Sequence, residues 1–212
     1  MNTRKKVIFI GPHPDDIFIS CAGFILENID KFQFEIYCFA TNNLLPSVQI
    51  RLQEEQDVWK KILGKEFKVN FFKKGIDTDL KSSYNDIVKY IELAIKDNNI
   101  KYIFTPFNID THQDHVAISN ATLSACRYSK NILFYETPST YNFDAKIFVN
   151  LKQKSLQKKK SISKTYNSQI LGNNEYSLTL SDFIEAKALS NGAKSRICKY
   201  AEGFTPFKFF LE

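Results

Sequence analysis

Short apolar runs alternate along this chain with longer segments in which apolar residues recur every three or four positions. The first run, VIFI, is closed by Gly11 and Pro12, which is typical of a buried strand bounded by residues that interrupt regular structure. The same two patterns assign the rest of the chain. They predict strands at 5–10, 32–40, 67–72, 101–105 and 132–135, helices at 17–29, 47–64, 87–95, 115–127 and 181–191, and an apolar strand or tail at 204–211.

The order of these elements predicts the fold class. Strands that alternate with helices produce right-handed crossovers and a parallel sheet covered on both faces. We therefore expect a Rossmann-like α/β fold, with a mostly parallel sheet and a site beyond the carboxyl ends of its strands. The chain has 212 residues, the usual size of one domain, so we expect a single domain over 1–212.

Composition narrows the class of protein. Hydrophobic residues make up 43% and charged residues 25% of the chain, which excludes disordered and low-complexity classes. No stretch approaches the roughly 18 consecutive apolar residues of a membrane span, so we expect no integral membrane segment. The amino terminus, MNTRKK followed by VIFIG, has too short an apolar run for a secretory signal, which predicts a cytoplasmic protein.

Lysine dominates the positive charge. The formal net charge is +6, yet only four of the 29 basic residues are Arg, the side chain suited to phosphate and guanine recognition. We therefore expect no nucleic-acid partner. The segment 152–164 holds six Lys and no acidic residue, and we interpret it as a solvated helix face rather than an anion-binding rim.

The cysteines are widely spaced. The positions of Cys21, Cys38, Cys126 and Cys198 differ by 17 or more, and no C-x-x-C pair occurs. This spacing predicts free buried thiols and disfavours a Cys-rich structural zinc site.

All three histidines fall in two short polar clusters, PHPDD at 12–16 and HQDH at 112–115. The first cluster follows the first predicted strand, and the second comes a few residues after the fourth. Because the carboxyl ends of parallel strands share one edge of the sheet, we expect the clusters to meet in space. A lone His or Asp there is usually a cap, a turn residue or a solvated side chain, but two clusters at matched positions favour a functional site.

His13, Asp16 and His115 supply two imidazoles and one carboxylate, a ligand set that suits catalytic zinc with its fourth position open to water. Asp15 is a second carboxylate beside this set, placed to accept a proton from the attacking water. Since nitrogen and carboxylate ligands select weakly among divalent ions, we expect other metals to replace Zn²⁺ in vitro.

Two more residues of the second cluster have candidate roles. His112 lies three residues before His115, on the same side of a first helical turn, where it could donate to an oxyanion or protonate a leaving group. Asp114 either holds one of the imidazoles in its tautomer or is a cap or solvated residue.

The loop PHPDD and the later HQDH resemble the AHPDDE-type loop and the HxDH of the zinc-dependent N-deacetylase family that includes PIG-L and LmbE-like proteins. Three other segments are similar to the family's R-x-x-E helix ending in Leu-Gly, its Y-x-S-Q segment and its late A-E-x-F. They are RLQEE at 51–55 with KILG at 61–64, YNSQ at 166–169 and YAEGF at 200–204. Five segments in the family's order make the resemblance specific over most of the chain.

The resemblance implies that His13, Asp16 and His115 bind zinc, that Asp15 is the general base and that His112 stabilises the tetrahedral oxyanion. One position departs from the family, because Ile17 stands where an acidic residue usually follows the two Asp. That residue typically supports the loop at the start of the helix, so the departure concerns loop support more than chemistry.

Together with these residues, the resemblance implies a zinc-dependent hydrolase that removes an N-acyl group, most often acetyl, from an amino sugar in a sugar metabolite, lipid or glycan precursor. Arg51 is a candidate for holding substrate hydroxyls or a phosphate, or it forms a helix-surface salt bridge with Glu54 or Glu55.

Two other functions remain open. The first is an amidase acting on a non-sugar amide such as a thiol conjugate or an antibiotic intermediate. The second is a non-catalytic module that binds a glycan or nucleotide, which the absence of G-x-G-x-x-G from the first loop disfavours. The sequence identifies neither the sugar nor its attachment, and it leaves a homo-oligomer open.

Overall fold

The computed structural model describes residues 4–42, 46–96, 99–129, 131–168 and 179–210. Strands and helices alternate through the first two thirds of the chain. The strands are β1 (Lys6–Gly11), β2 (Gln33–Cys38), β3 (Asn70–Phe71), β4 (Ile100–Pro106), β5 (Ile132–Tyr135), β6 (Ile147–Asn150) and β7 (Ala201–Lys208). The helices are α1 (Asp16–Glu27), α2 (Pro46–Leu63), α3 (Tyr84–Ala94), α4 (Gln113–Ala125), α5 (Gln153–Ser163) and α6 (Leu180–Ser195), and a short 3-10 helix, Leu80–Ser83, precedes α3.

The seven strands form one sheet in the order β3-β2-β1-β4-β5-β7-β6. The strands from β3 to β5 pair in parallel, whereas β7 is antiparallel to both β5 and β6. The predicted Rossmann-like α/β fold with a mostly parallel sheet is therefore confirmed, with an antiparallel edge that the sequence pattern did not resolve.

The central strand β1 separates two hydrophobic cores. Val7 and Phe9 belong to the core that α1, α2, α5 and α6 cover, while Ile8 and Ile10 belong to the core under α3 and α4. All four side chains are at most 1% exposed. A strand that is buried on both faces has no solvent-exposed side, which is why residues 7–10 of β1 form a continuous apolar run.

The direction in which successive strands are added to the sheet reverses at β1. From β1 the order runs through β2 to β3 on one side and through β4 to β5 on the other. Such a point opens a crevice beyond the carboxyl ends of the two central strands, here β1 and β4. The loops that leave these two strands carry PHPDD and HQDH, so the fold itself directs both clusters to one crevice.

Predicted and observed boundaries differ most at short or capped elements. The third strand is reduced to two residues, and β6 was not predicted at all. Helix α6 runs beyond its predicted end to Ser195 and begins with a capping box, in which Thr179 and Asp182 satisfy each other's backbone N–H groups.

The Lys-rich helix α5 corrects one prediction. Lys159 is only 2% exposed, and its Nζ donates to Glu202 Oε1 and to the carbonyl oxygen of Ile19, each at 2.6 Å. Leu156 and Ile162 lie on the same buried side of α5. The prediction that 152–164 presents a solvated face is thus wrong for Lys159, because β7 supplies a buried counter-charge.

The four cysteines carry free thiols. Cys21, Cys38 and Cys126 are buried as predicted, but Cys198 is half-buried, so the expectation of a fully buried thiol is wrong there. Within the described ranges, no helix combines the length and apolar character needed to cross a membrane.

Candidate metal and catalytic site

The turn between β1 and α1 carries the first cluster. The carbonyl oxygen of Pro12 accepts from the backbone N–H of Ala40, which fixes the turn beside the end of β2. The backbone N–H of His13 donates to Asp16 Oδ2 at 3.0 Å, so the turn folds His13 back over the first residue of α1. His13 and Asp16 are thereby held on the same side of the crevice.

The start of α4 carries the second cluster. His112 is the N-cap of α4, and its Nδ1 accepts from the backbone N–H of Asp114 at 3.2 Å. The rings of His112 and His115 stack with their centroids 4.9 Å apart. Both rings also approach His13, at centroid distances of 4.6 Å for His112 and 5.3 Å for His115. The structure therefore brings all three histidines together.

Three donor atoms in this crevice form a nearly regular triangle. His13 Nδ1, Asp16 Oδ2 and His115 Nε2 are separated by 3.3 Å in each of the three pairs. A tetrahedral zinc ion with bonds of about 2.0 to 2.1 Å requires its ligand atoms to lie about 3.3 Å apart. The donor atoms of these residues thus fit a tetrahedral ion without rearrangement, and all three side chains are buried.

Carboxylates on the far side of each imidazole determine which nitrogen is free to bind a metal. His13 Nε2 lies 3.2 Å from both Asp114 Oδ2 and Asp77 Oδ1, and His115 Nδ1 lies 2.9 Å from Asp110 Oδ2. A carboxylate accepts the ring N–H and leaves the opposite nitrogen with its lone pair. In the neutral form of each ring, the lone pair therefore belongs to the nitrogen that points into the triangle.

His112 adds a further nitrogen close to the triangle. One ligand atom each from His13, His112 and His115 lie within 4.8 Å of one another, as do those of His13, Asp77 and Asp114. His112 is half-buried, whereas His13 and His115 are buried. Burial is the main cause of a lowered pKa at His112, which favours its neutral form.

The pKa values of the adjacent carboxyls Asp15 and Asp16 shift in opposite directions. Burial raises the pKa of Asp15, and the negative charges of Asp16 and Glu55 raise it further. Burial also raises the pKa of Asp16, but His115 and His13 outweigh it and hold that pKa below its usual range. Neighbouring groups with opposed shifts are typical of a site in which one is a fixed anion and the other exchanges a proton.

The site opens into a cavity of about 340 Å³. Its walls include every residue predicted from sequence to act in catalysis, metal binding or substrate binding: His13, Asp15, Asp16, Arg51, His112 and His115. The other lining residues are Ile19, Asp77, Pro138 and Ser139. A cleft of this size with convergent polar groups is typical of a small-molecule site.

Asp114 and Arg51 have contacts that the sequence left open. Asp114 is 1% exposed, and besides His13 its carboxylate accepts from the backbone N–H groups of Thr78 and Leu80. Arg51 Nη1 lies 3.4 Å from Asp77 Oδ2, which is neither of the helical partners considered from sequence. Asp77 thus joins Arg51 to His13.

Packing of Ile17 compensates for the absence of the acidic residue that the family usually has at this position to support the loop. Ile17 is fully buried, and a Cβ added at Gly11 would lie 2.7 Å from Ile17 Cγ1. The absence of a side chain at Gly11 therefore gives Ile17 room to pack on the end of β1, and the first turn of α1 is supported by an apolar contact.

Sequence reasoning assigned no role to several side chains that support the site. Asp77, in the loop after β3, had no local signal, but Asp110 could have been noticed because it lies two residues before HQDH. Glu55 and Tyr166 occur in family-like segments and meet through a hydrogen bond. Gln169, the last residue of the Y-x-S-Q resemblance, lies outside the described residues.

Solved structures share this fold. The N,N′-diacetylchitobiose deacetylase from Pyrococcus horikoshii superposes with a TM-score of 0.73 at 20% identity, covering 96% of this chain and 84% of that one. GalB, the 4-carboxy-2-hydroxymuconate hydratase from Pseudomonas putida KT2440, superposes with a TM-score of 0.74 at 14% identity, covering 98% of both chains. At such identities the likeness shows the fold alone, and one fold here accompanies two different reactions.

Sequence comparison is more specific. The family model of PIG-L, GlcNAc-PI de-N-acetylase, matches residues 8–126. The uncharacterized deacetylase YaiS of Escherichia coli K12 is 32% identical over 176 residues, covering 79% of this chain and 93% of YaiS. The resemblance carried by the motifs is confirmed: the chain belongs to the PIG-L family and is a deacetylase, a hydrolase that acts on amides.

Proposed function

We propose that this deacetylase removes the N-acetyl group of an amino sugar and that it uses a zinc ion held by His13, Asp16 and His115. The observation that carries the proposal is the 3.3 Å triangle of Nδ1, Oδ2 and Nε2 atoms at the base of the cavity. Two nitrogens and one oxygen leave a fourth tetrahedral position open, as in catalytic rather than structural zinc sites. Other divalent ions are expected to substitute in vitro.

When bound, the ion supplies a Lewis acid that polarises the amide carbonyl and lowers the pKa of water. The Asp15 carboxylate lines the same cavity and accepts the proton of the attacking water. It then returns that proton to the amide nitrogen as the carbon–nitrogen bond breaks. One water is consumed for each amide, and the products are acetate and a free amine.

His112 supplies the hydrogen-bond donor for the oxyanion. Because its Nδ1 accepts the backbone N–H of Asp114, the neutral ring carries its proton on Nε2. The lowered pKa keeps the ring in this neutral tautomer. An N–H fixed in place before reaction stabilises developing negative charge without reorganisation, which is the basis of oxyanion stabilisation.

The substrate assignment rests on the polar wall of the cavity. Arg51 and Asp77 place a guanidinium donor next to a carboxylate acceptor, a combination that suits neighbouring hydroxyls of a sugar ring. A solved structure with the same fold, the Pyrococcus enzyme, is named for an N-acetylated disaccharide, which supports the same class of substrate for this chain. A purely apolar amide would leave both charged groups without hydrogen-bond partners on the ligand.

A substrate panel tests this proposal. N-acetylglucosamine, its glycosides, an N-acetylated thiol conjugate and an acetylated aliphatic amine are each incubated with zinc-loaded protein, and acetate and amine are quantified. We expect equal amounts of acetate and amine, and at least roughly tenfold higher kcat/KM for the sugars. Faster hydrolysis of a non-sugar amide would overturn the substrate class, and turnover without acetate would indicate a different reaction.

A further inference from the structure

The backbone of Asp15 has an unusual conformation. Its φ is 93° and its ψ is −34°, at the position just before α1. Asp tolerates the left-handed region near φ of about +57° and ψ of about +47°, but the ψ of Asp15 lies well outside it. A non-glycine residue held in such a conformation requires its surroundings to define it, and such residues cluster at functional sites.

The side chain of Asp15 does not stabilise this conformation in the usual way. An Asp that precedes a helix ordinarily accepts a hydrogen bond from an N–H of the first turn. Asp15 makes no side-chain cap of this kind, and its carboxyl lines the cavity instead. The backbone N–H of Asp15 is instead bound by a group from another helix.

That group is Glu55, a fully buried carboxylate on α2. Its Oε2 accepts from the backbone N–H of Asp15 at 3.0 Å and also from the hydroxyl of Tyr166. Its Oε1 accepts from Trp59 Nε1 at 2.6 Å. Trp59 and Tyr166 both pack against Phe18 in the first turn of α1. The carboxylate is thus fixed from two sides before it meets the peptide of Asp15.

We infer that Glu55 is a positioning residue, which holds the peptide of Asp15 in its positive-φ conformation so that the Asp15 carboxylate faces the reacting water. The inference rests on the proposed function, in which Asp15 is the proton acceptor. Glu55 does not line the cavity, so it acts through Asp15 and not on the substrate. Tyr166 and Trp59 orient Glu55 in turn.

The test is a double-mutant cycle between Glu55 and Asp15. Glu55→Leu removes both acceptor oxygens at similar volume, and we expect kcat to fall roughly 10- to 100-fold while KM and the metal content per chain stay unchanged. Glu55→Gln keeps one acceptor oxygen and should restore part of kcat. In an Asp15→Asn background, Glu55→Leu should cause no further loss, because the group it positions is already disabled.

Glu54→Leu is the matched control. Glu54 is the preceding residue of α2, and it accepts from the backbone N–H of Ser168 at 3.1 Å, so it also joins α2 to the segment after α5. We expect its kcat to stay within about twofold of the unmodified protein. If Glu55→Leu does not fold, Glu55→Gln takes its place in the cycle.

The outcomes separate the inference from the function on which it rests. Equal additional losses of kcat in the presence and absence of the Asp15 carboxylate would show that Glu55 is merely structural, and an unchanged kcat in the folded Glu55 variant would also overturn the inference. Full activity of Asp15→Asn itself would instead overturn the role of Asp15 in the proposed function.

Discussion

Two buried polar clusters lie along helix α1, and they are built differently. Near the middle of α1, Lys159 and Glu202 form an ion pair at 2.6 Å, and Glu202 also accepts from the backbone N–H groups of Gly23 and Phe24. We call this the Lys159 pair. One cation pairs with one anion, and both form further hydrogen bonds, so the charges of this cluster compensate each other.

At the amino end of α1, acidic side chains outnumber basic ones. The site cluster brings six carboxyl groups together with the three imidazoles, and Arg51 is the guanidinium on its cavity wall. Its carboxylates are Asp15, Asp16, Asp77, Asp110, Asp114 and Glu55. An excess of buried acid is costly unless a cation compensates it. The comparison teaches that the Lys159 pair fastens α5 and β7 to α1, whereas the site cluster is arranged to receive a cation.

The largest effect is expected from removing the proposed metal ligands of the site cluster. His13→Ala combined with His115→Ala deletes two corners of the triangle, so we expect purified protein to lose bound metal and detectable deacetylase activity. Elemental analysis of protein purified without added metal measures the first, and acetate release the second. Full metal occupancy in the double variant would contradict the ligand assignment.

His112→Ala is the control for that experiment. His112 lies beside the triangle and is the proposed oxyanion donor, so its loss should lower kcat roughly 10²- to 10³-fold while metal stays bound. Loss of metal from this variant would make His112 a ligand and sharpen the boundary of the site cluster.

Breaking the Lys159 pair should act on stability instead. Lys159→Met leaves Glu202 as a buried charge without its partner, and we expect a loss of about 3–5 kcal/mol in the free energy of unfolding, measured by urea denaturation. Adding Glu202→Gln should recover part of that loss, and both variants should retain their metal. Lys74→Met provides the control, because its pair with Asp86 is solvent-exposed and should contribute nothing measurable. Metal loss from Lys159→Met with unchanged stability would reverse the comparison.

The smallest expected effect concerns substrate binding. Arg51→Lys keeps the positive charge but removes the planar fork, so we expect KM for an N-acetyl sugar to rise roughly tenfold with little change in kcat. Arg127→Lys is the control, since Arg127 pairs with Glu92 on the surface. An unchanged KM would show that the contact between Arg51 and Asp77 is structural.

The parts of the site that lie next to buried parallel strands could be predicted from sequence. PHPDD follows β1 directly and HQDH comes a few residues after β4, and strands buried on both faces produce apolar runs that are easy to recognise. Asp77 and Glu55 could not be placed, because their partners in the site are distant along the chain and no local pattern encodes such a contact.

The antiparallel edge of the sheet was harder to predict for a related reason. Three of the four residues of β6 are half-buried and the last is exposed, so its sequence, IFVN, shows neither a clear alternation nor a closed apolar run. Lys159 looked like one of six solvated lysines because its partner, Glu202, is 43 residues away. Only the tertiary structure shows that the two charges meet.

The adjacent residues Asp15 and Asp16 provide the most direct test of the account. Each is replaced by Asn, and metal content and kcat are measured on the same preparations. Asp15→Asn should keep its metal and lose roughly 10²- to 10⁴-fold in kcat, because the proposed proton acceptor is gone while the triangle is intact. Asp16→Asn should lose metal, since an amide oxygen is a poorer zinc ligand than a carboxylate. Metal loss from Asp15→Asn with full retention by Asp16→Asn, or full activity of Asp15→Asn as purified, would contradict the account.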